Sequence, residues 1–226
     1  MKPEELEIGD SLLFHSEPED ELGRTVVYGI QNLTKSPYNH VATYVGLGQL
    51  TEAVAEGYKK HTLTEAISKA DKKVAVFRYH ADGVEGEPLT AEQQVSMVHT
   101  AERFLDLPYA FSQIAFLAVL CEVNKVNIPE SILAPAFEFF QMLVERNKTM
   151  LICSEADYRI KNEAGLQMRI VDENSRYEFY KTSGEITSKY REVKASSLVD
   201  NVIADWVTPN DIAMCPDMIY IGDLEL

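Results

Sequence analysis

A chain of 226 residues with 46% apolar and 25% charged residues can bury a full core without disulfide or metal staples. Lys plus Arg total 21 and Asp plus Glu 36, a formal net charge of −15, which argues against a nucleic-acid or anionic-membrane partner reached through a basic face. The three cysteines, Cys121, Cys153 and Cys215, are odd in number and widely spaced with no CxxC pair; this excludes a zinc ribbon or thioredoxin-like motif and fits reduced thiols in a cytosolic protein.

The first ten residues (MKPEELEIGD) are acidic and lack an apolar h-region, so no signal peptide is expected. Ile8 to Phe14 reads as a strand opened by a Gly-Asp turn. Thr25 to Leu33 reads as a short helix and Lys35 to Asn39 as a turn. Residues 40–46 (HVATYVG) alternate and are rich in β-formers, Gly48 falls in a turn, and 50–56 (LTEAVAE) returns as the second arm of a hairpin. A short helix follows at Thr64 to Ala70, capped by Thr62 or Thr64, then a strand at Lys73 to Tyr79. Thr90 caps a helix running to about Leu105. Ala110 to Val123 is apolar nearly all round and reads as a buried helix; its longest apolar run falls short of the roughly 20 residues needed to span a bilayer. Pro129 and Pro135 punctuate a second helical pair ending near Arg146. Met150 to Cys153 leads into a helix of about 153–163, stopped by Gly165, and the remainder holds short strands and turns, including Thr208 to Asp211. The expectation is one α+β domain spanning 1–226, a small antiparallel sheet or barrel packed against helices, with a helical insertion at about 111–149.

No Walker loop, HExxH or GxSxG occurs, and Gly46-Leu47-Gly48 lacks the third glycine of a dinucleotide fingerprint. The five histidines form no HxxxH or HxxH pair, so no metal site is indicated locally, which leaves open ligands distant in sequence; no cofactor is expected. Cys153 opens a helix, where the positive end of the dipole and unpaired N–H groups favour a thiolate, the nucleophilic form. Free cysteines are also among the most buried residues, and most are inert. Position alone leaves both readings of Cys153 open. Cys121 reads as core, and Cys215 has no evident partner. A nucleophilic cysteine needs a base. His40 begins a strand, and Glu52 on the returning strand shares its parity, so the two can face one side of the hairpin. Spacing alone favours the plainer reading, a strand-end histidine bonded to a backbone carbonyl with Glu52 on a solvated face, and Glu56 can take the place of Glu52 if the register differs.

Three segments together resemble the circularly permuted papain-like hydrolases of the NlpC superfamily, in particular the YiiX/YebB-like group. They are Ile8-Gly9-Asp10 with Leu12-Leu13-Phe14, then Ser36 to Gly46 with Leu50-Thr51-Glu52-Ala53-Val54, and finally Ile152-Cys153-Ser154-Glu155. Leu107-Pro108-Tyr109 and Val207 to Asp211 resemble further steps of that group. Ala156 departs from it, where Leu or Phe is more usual, and 111–149 has no clear counterpart.

The resemblance implies a permuted papain-like fold and a thiol hydrolase, a cysteine peptidase or amidase acting on an amide of a small peptide or cell-wall peptide. Cys153 would be the nucleophile, His40 the base and then acid, and Glu52 the group that orients His40. Backbone N–H groups at the helix start, with Ser154, would hold the oxyanion. Tyr109 is read either as a donor or wall of the pocket or as an ordinary core or surface tyrosine. The related lecithin–retinol acyltransferase-like proteins offer a lipid acyl hydrolase or acyltransferase as an alternative, although their Asn-Cys-Glu-His setting is not matched by Ile152-Cys153-Ser154-Glu155. A binding module that keeps the fold without turnover is the third reading. The expected partners are a small peptide, amide or acyl substrate, with no nucleic acid and no integral membrane segment.

Overall fold

A computed structural model describes residues 1–15, 37–54, 56–68, 74–81, 87–109, 151–171, 204 and 207–225. The helix expected at Thr25 to Leu33, the insertion at 111–149 and Cys121 lie outside these residues. Among the described residues six strands form one antiparallel sheet: β1 (Ser11–Phe14), β2 (His40–Gly46), β3 (Gln49–Val54), β4 (Gly57–Thr62), β5 (Ala75–Tyr79) and β6 (Met218–Asp223), in spatial order β4-β3-β2-β1-β5-β6. Four helices accompany it: α1 (Leu63–Ser68), α2 (Ala91–Phe104), α3 (Cys153–Glu163) and α4 (Pro209–Met214). None of the described helices is long and apolar enough to cross a membrane.

The sheet is covered on both faces. In β1 all four residues are buried, as a central strand between two layers must be. Leu12 and Phe14 point to one side, with Ala42, Tyr44, Leu50 and Val76 and the α1 residues Leu63 and Ala66. Leu13 points to the other, with Val41, Ala53, Phe77 and the helical residues Met97, Ala101, Phe104, Cys153, Ala156 and Ile160. Helix α3 lies on β2 and β3 and packs against α2. Ala156, only 1% exposed, supplies a small side chain in that tightly covered layer.

Local chemistry sets the element ends. The strand read from Ile8 begins only at Ser11, because Gly9 takes φ +94° and Asp10 turns the chain. Asp10 is fully buried; its carboxylate accepts from the Glu7 N–H at 2.8 Å and from Arg78 Nε and Nη2 of β5, each at 2.8 Å. The Gly-Asp motif is thus a structural clamp between the chain start and β5. Thr90 and Gln93 form a reciprocal cap on α2, with N–H to side-chain distances of 2.9 and 3.2 Å. Thr208 to Asp211 is a helix start: Thr208 caps α4, Pro209 fills a first-turn site and the Asp211 carboxylate accepts from Thr208 N at 2.8 Å. Thr62 caps α1, accepting from Glu65 N at 3.2 Å.

The strand β4 has no counterpart among the expected elements. Its first residue, Gly57, adopts φ +108°, and a Cβ there would lie 2.7 Å from the Leu107 carbonyl oxygen. That carbonyl accepts from Tyr58 N at 2.8 Å, and Asp106 N returns a bond to the Tyr58 oxygen at 2.9 Å. The clamp fixes the segment Leu107 to Tyr109, whose Pro108 oxygen accepts from Leu151 N at 3.0 Å and whose Tyr109 bridges Leu151 in parallel. Gly57→Ala combines left-handed strain with a backbone clash, so it should destabilise the protein by about 2 kcal/mol or more. Urea unfolding of the variant reads this directly.

Candidate active site

Cys153 is the first residue of α3, after Ile152 in extended conformation. Ile152 offers no capping oxygen. Glu155 takes over part of that duty, its Oε2 lying 3.4 Å from Ile152 N while Oε1 meets Arg159 at 2.7 Å. The helix start is held down by Ser154, whose hydroxyl donates to the Val207 carbonyl at 2.6 Å. Ser154 therefore commits its side chain to the segment leading into α4, and what it offers the neighbouring sulfur is its backbone N–H.

His40 is the first residue of β2, with its ring packed at 5.6 Å from that of Phe14 in β1. The β2–β3 register pairs Thr43 with Thr51 and Tyr44 with Leu50, which sets His40 and Glu52 on one face as diagonal neighbours. His40 Nε2 lies 2.6 Å from Glu52 Oε2. Glu52 is 6% exposed and bonds His40, whereas Glu56 lies on the surface. The Cys153 sulfur is the other group that acts on the imidazole, by its charge and by a side-chain hydrogen bond that each contributes to the other's shift. Since Nε2 is taken by Glu52, Nδ1 is left for the sulfur.

The electrostatics follow from this arrangement. Burial alone would push the Cys153 thiol up. The His40 charge, the hydrogen bond from His40 and the backbone N–H groups of Val41 and Ser154 outweigh it and bring the thiol below its ordinary value. Burial likewise opposes an imidazolium at His40, but the Cys153 thiolate and the Glu52 carboxylate raise it to about 10. Burial opposes a carboxylate at Glu52, and the two histidines that bond it nevertheless lower it to about 2. The state these groups favour is a thiolate beside an imidazolium backed by a carboxylate.

An ionised carboxylate only accepts hydrogen bonds, so His40 must carry its proton on Nε2. Neutral His40 then presents a bare Nδ1 to Cys153, the form that takes up the thiol proton. Tyr109 stands close enough to the sulfur for the Cys153 charge, added to burial, to raise its phenol further. Cys215 differs in kind: burial first and the nearby Asp217 carboxylate second drive its thiol upward, leaving an inert core cysteine.

His61 on β4 was not singled out from the sequence. Its Nδ1 lies 2.6 Å from Glu52 Oε1, so Glu52 holds one histidine on each oxygen.

No protein-family model matches the sequence, and no curated protein matches it. Among solved structures the fold is similar to the crystal structure of metalloprotein YiiX from Escherichia coli O157:H7 (DUF1105), with a TM-score of 0.53 and 19% identity over 96% of this chain and 97% of that one. The chain has a YiiX-like α+β fold. That relative is described as a metalloprotein. Among the described residues of this chain, no three or more His, Cys, Asp or Glu side chains are grouped to hold a metal ion. Both Glu52 oxygens are taken up by ring nitrogens at hydrogen-bond distance. The described donor set does not fit a metal.

Proposed function

We propose that the protein is a thiol hydrolase of the amidase or peptidase type, using Cys153, His40 and Glu52 in the manner of permuted papain-like enzymes. The observation that carries this reading is the single chain of contacts from the sulfur at a helix start, through His40, to the buried Glu52 carboxylate 2.6 Å from Nε2. The Cys153 thiolate attacks the carbonyl carbon of an amide, forming a C–S bond and placing the electron pair on oxygen. The oxyanion is held by backbone N–H groups at the start of α3. His40 Nδ1 gives its proton to the leaving nitrogen as the C–N bond breaks, leaving a thioester on Cys153. His40, now neutral, takes a proton from water as that water attacks the thioester; the acid departs and the thiolate–imidazolium pair is restored. Glu52 remains ionised throughout and keeps the imidazole in the Nε2–H form.

The test uses p-nitrophenyl acetate and a dipeptide p-nitroanilide, with acid-quenched peptides mapped by mass spectrometry. The expected result is one acetyl group on Cys153 and steady turnover, both lost in Cys153→Ala and His40→Ala. A protein that acquires no acyl group on Cys153 from the activated ester lacks the proposed chemistry, and a binding module becomes the better description. A p-nitrophenyl ester of a long fatty acid, turned over in strong preference to the acetate and the anilide, would instead favour the lipid acyl alternative.

A further inference from the structure

The geometry points to His61 as a positioning residue for the Cys153 centre, acting through the second oxygen of Glu52. This rests on the thiol-hydrolase reading and adds a fourth member to it. Glu52 lies in β3 between two strands, and each neighbouring strand delivers one histidine to it. His40 comes from β2 at 2.6 Å from Oε2, and His61 comes from β4 at 2.6 Å from Oε1. The β3–β4 register pairs Glu52 with Lys59 and Leu50 with His61. A lysine directly opposite a buried carboxylate is its natural counter-charge, yet Lys59 Nζ reaches Asp106 at 2.5 Å instead. The next lysine, Lys60, turns to Glu102 on α2 at 3.2 Å. The cation opposite Glu52 is thereby drawn away, Lys60 lies on the other face of the strand, and the Glu52 carboxylate is shared by two imidazoles.

The consequence is geometric. A carboxylate on a flexible two-carbon stem bonded at one oxygen can rotate about its last torsion and present either oxygen to His40. With Oε1 held by His61 Nδ1–H, Oε2 is fixed toward His40 Nε2. Because Glu52 is an acceptor on both sides, His61 must donate from Nδ1, as His40 donates from Nε2. His61 is about a quarter exposed, bonds Glu52 and is not among the groups that shift the Cys153 thiol, so its effect passes through Glu52.

The experiment is iodoacetamide alkylation of Cys153 across pH, followed by mass spectrometry, in wild type, His61→Leu, His61→Asn, Glu52→Gln and the His61→Leu/Glu52→Gln double variant. Leu fills similar volume without a donor; the Asn amide can donate where Nδ1–H does. For His61→Leu, the rate at pH 6 is expected to fall about tenfold and the rising limb of the profile to move to higher pH, the scale of losing one hydrogen bond to a charged group. His61→Asn should return the profile to within about threefold of wild type by restoring that bond. In the Glu52→Gln background, adding His61→Leu should change nothing further. Thermal unfolding of each variant checks that the fold is kept, and if His61→Leu does not fold, the smaller donorless His61→Ala carries the same expected fall and shift, set against the near-wild-type profile of His61→Asn. An unshifted profile in His61→Leu, equal shifts in Leu and Asn, or a full further loss in the double variant overturns the inference while leaving Cys153 and His40 intact. An ordinary thiol profile in wild type removes the proposed function and the inference together, so the two failures are told apart by which protein shows them.

Discussion

His40→Ala should slow alkylation of Cys153 by iodoacetamide at pH 6 by about two orders of magnitude. An unassisted thiol with a pKa of about 8.5 is only ~0.3% thiolate at pH 6. Burial of Cys153 would depress even that fraction, because the dry environment disfavours the charged form. The imidazolium of His40 is what reverses the sign, so its removal leaves burial unopposed. In the wild type the rate should rise with pH through the lowered value of Cys153 and level off below the ordinary thiol range. Turnover adds a second limb. His40 is raised to about 10, so the proton it must give to the leaving group is present below that pH and lost as pH rises through it. Activity should therefore form a broad bell whose alkaline side falls near pH 10. Cys215, followed in the same digests, should stay unmodified in the folded protein, since burial and Asp217 both oppose its thiolate.

Lys161→Met should destabilise the fold by about 3 to 5 kcal/mol, the scale of leaving one buried charge without its partner. Lys161 is 0% exposed and Asp157 1%. Lys161 Nζ lies 2.6 Å from Asp157 Oδ1 and 2.8 Å from Ser11 Oγ. Ser11 and Thr43 donate to the same carboxylate, each at 2.8 Å from one of its oxygens. This network joins α3, one turn beyond Cys153, to β1 and β2, the strand that carries His40. Methionine keeps most of the volume and removes the charge, so Asp157 retains two hydroxyl donors and no cation. The double variant Asp157→Leu/Lys161→Met removes both charges and should recover most of the loss in urea unfolding. By contrast, breaking the exposed Lys60–Glu102 pair should cost well under about 1 kcal/mol. Equal effects from the two pairs would contradict the role given to the buried one.

The residues that join at the site were legible where their element boundaries carry strong local signals. Cys153 opens a helix from 153 to 163, the span that its apolar lead-in and Gly165 delimit. His40 and Glu52 share parity across a hairpin with a glycine-marked turn. The strand carrying His61 was not legible, and the reason is physical. β4 is an edge strand with the sequence Gly57-Tyr-Lys-Lys-His-Thr62, and such strands are kept polar to prevent edge-to-edge pairing. Its lysines mask the alternation on which a strand reading depends, although Gly57 before Tyr58-Lys59-Lys60-His61 is a signal that could have found it. The Asp157–Lys161 pair has the spacing of an ordinary solvated helix pair, and only the tertiary packing of α3 on the sheet buries it. The order that inserts β1 between β2 and β5 is likewise non-local and leaves no mark in any single segment. The Gly-Asp opening of β1 marked a true turn, and the structure gives Asp10 to Arg78.

The most direct test of the central claim is the ionisation of Cys153 itself. Far-ultraviolet thiolate absorbance would be titrated with pH in wild type and in Cys153→Ala, and the difference assigned to this one sulfur. The account predicts an inflection well below the free-thiol value of about 8.5, moved above that value by His40→Ala. An inflection at or above the free-thiol value in wild type, unmoved by His40→Ala, would contradict it.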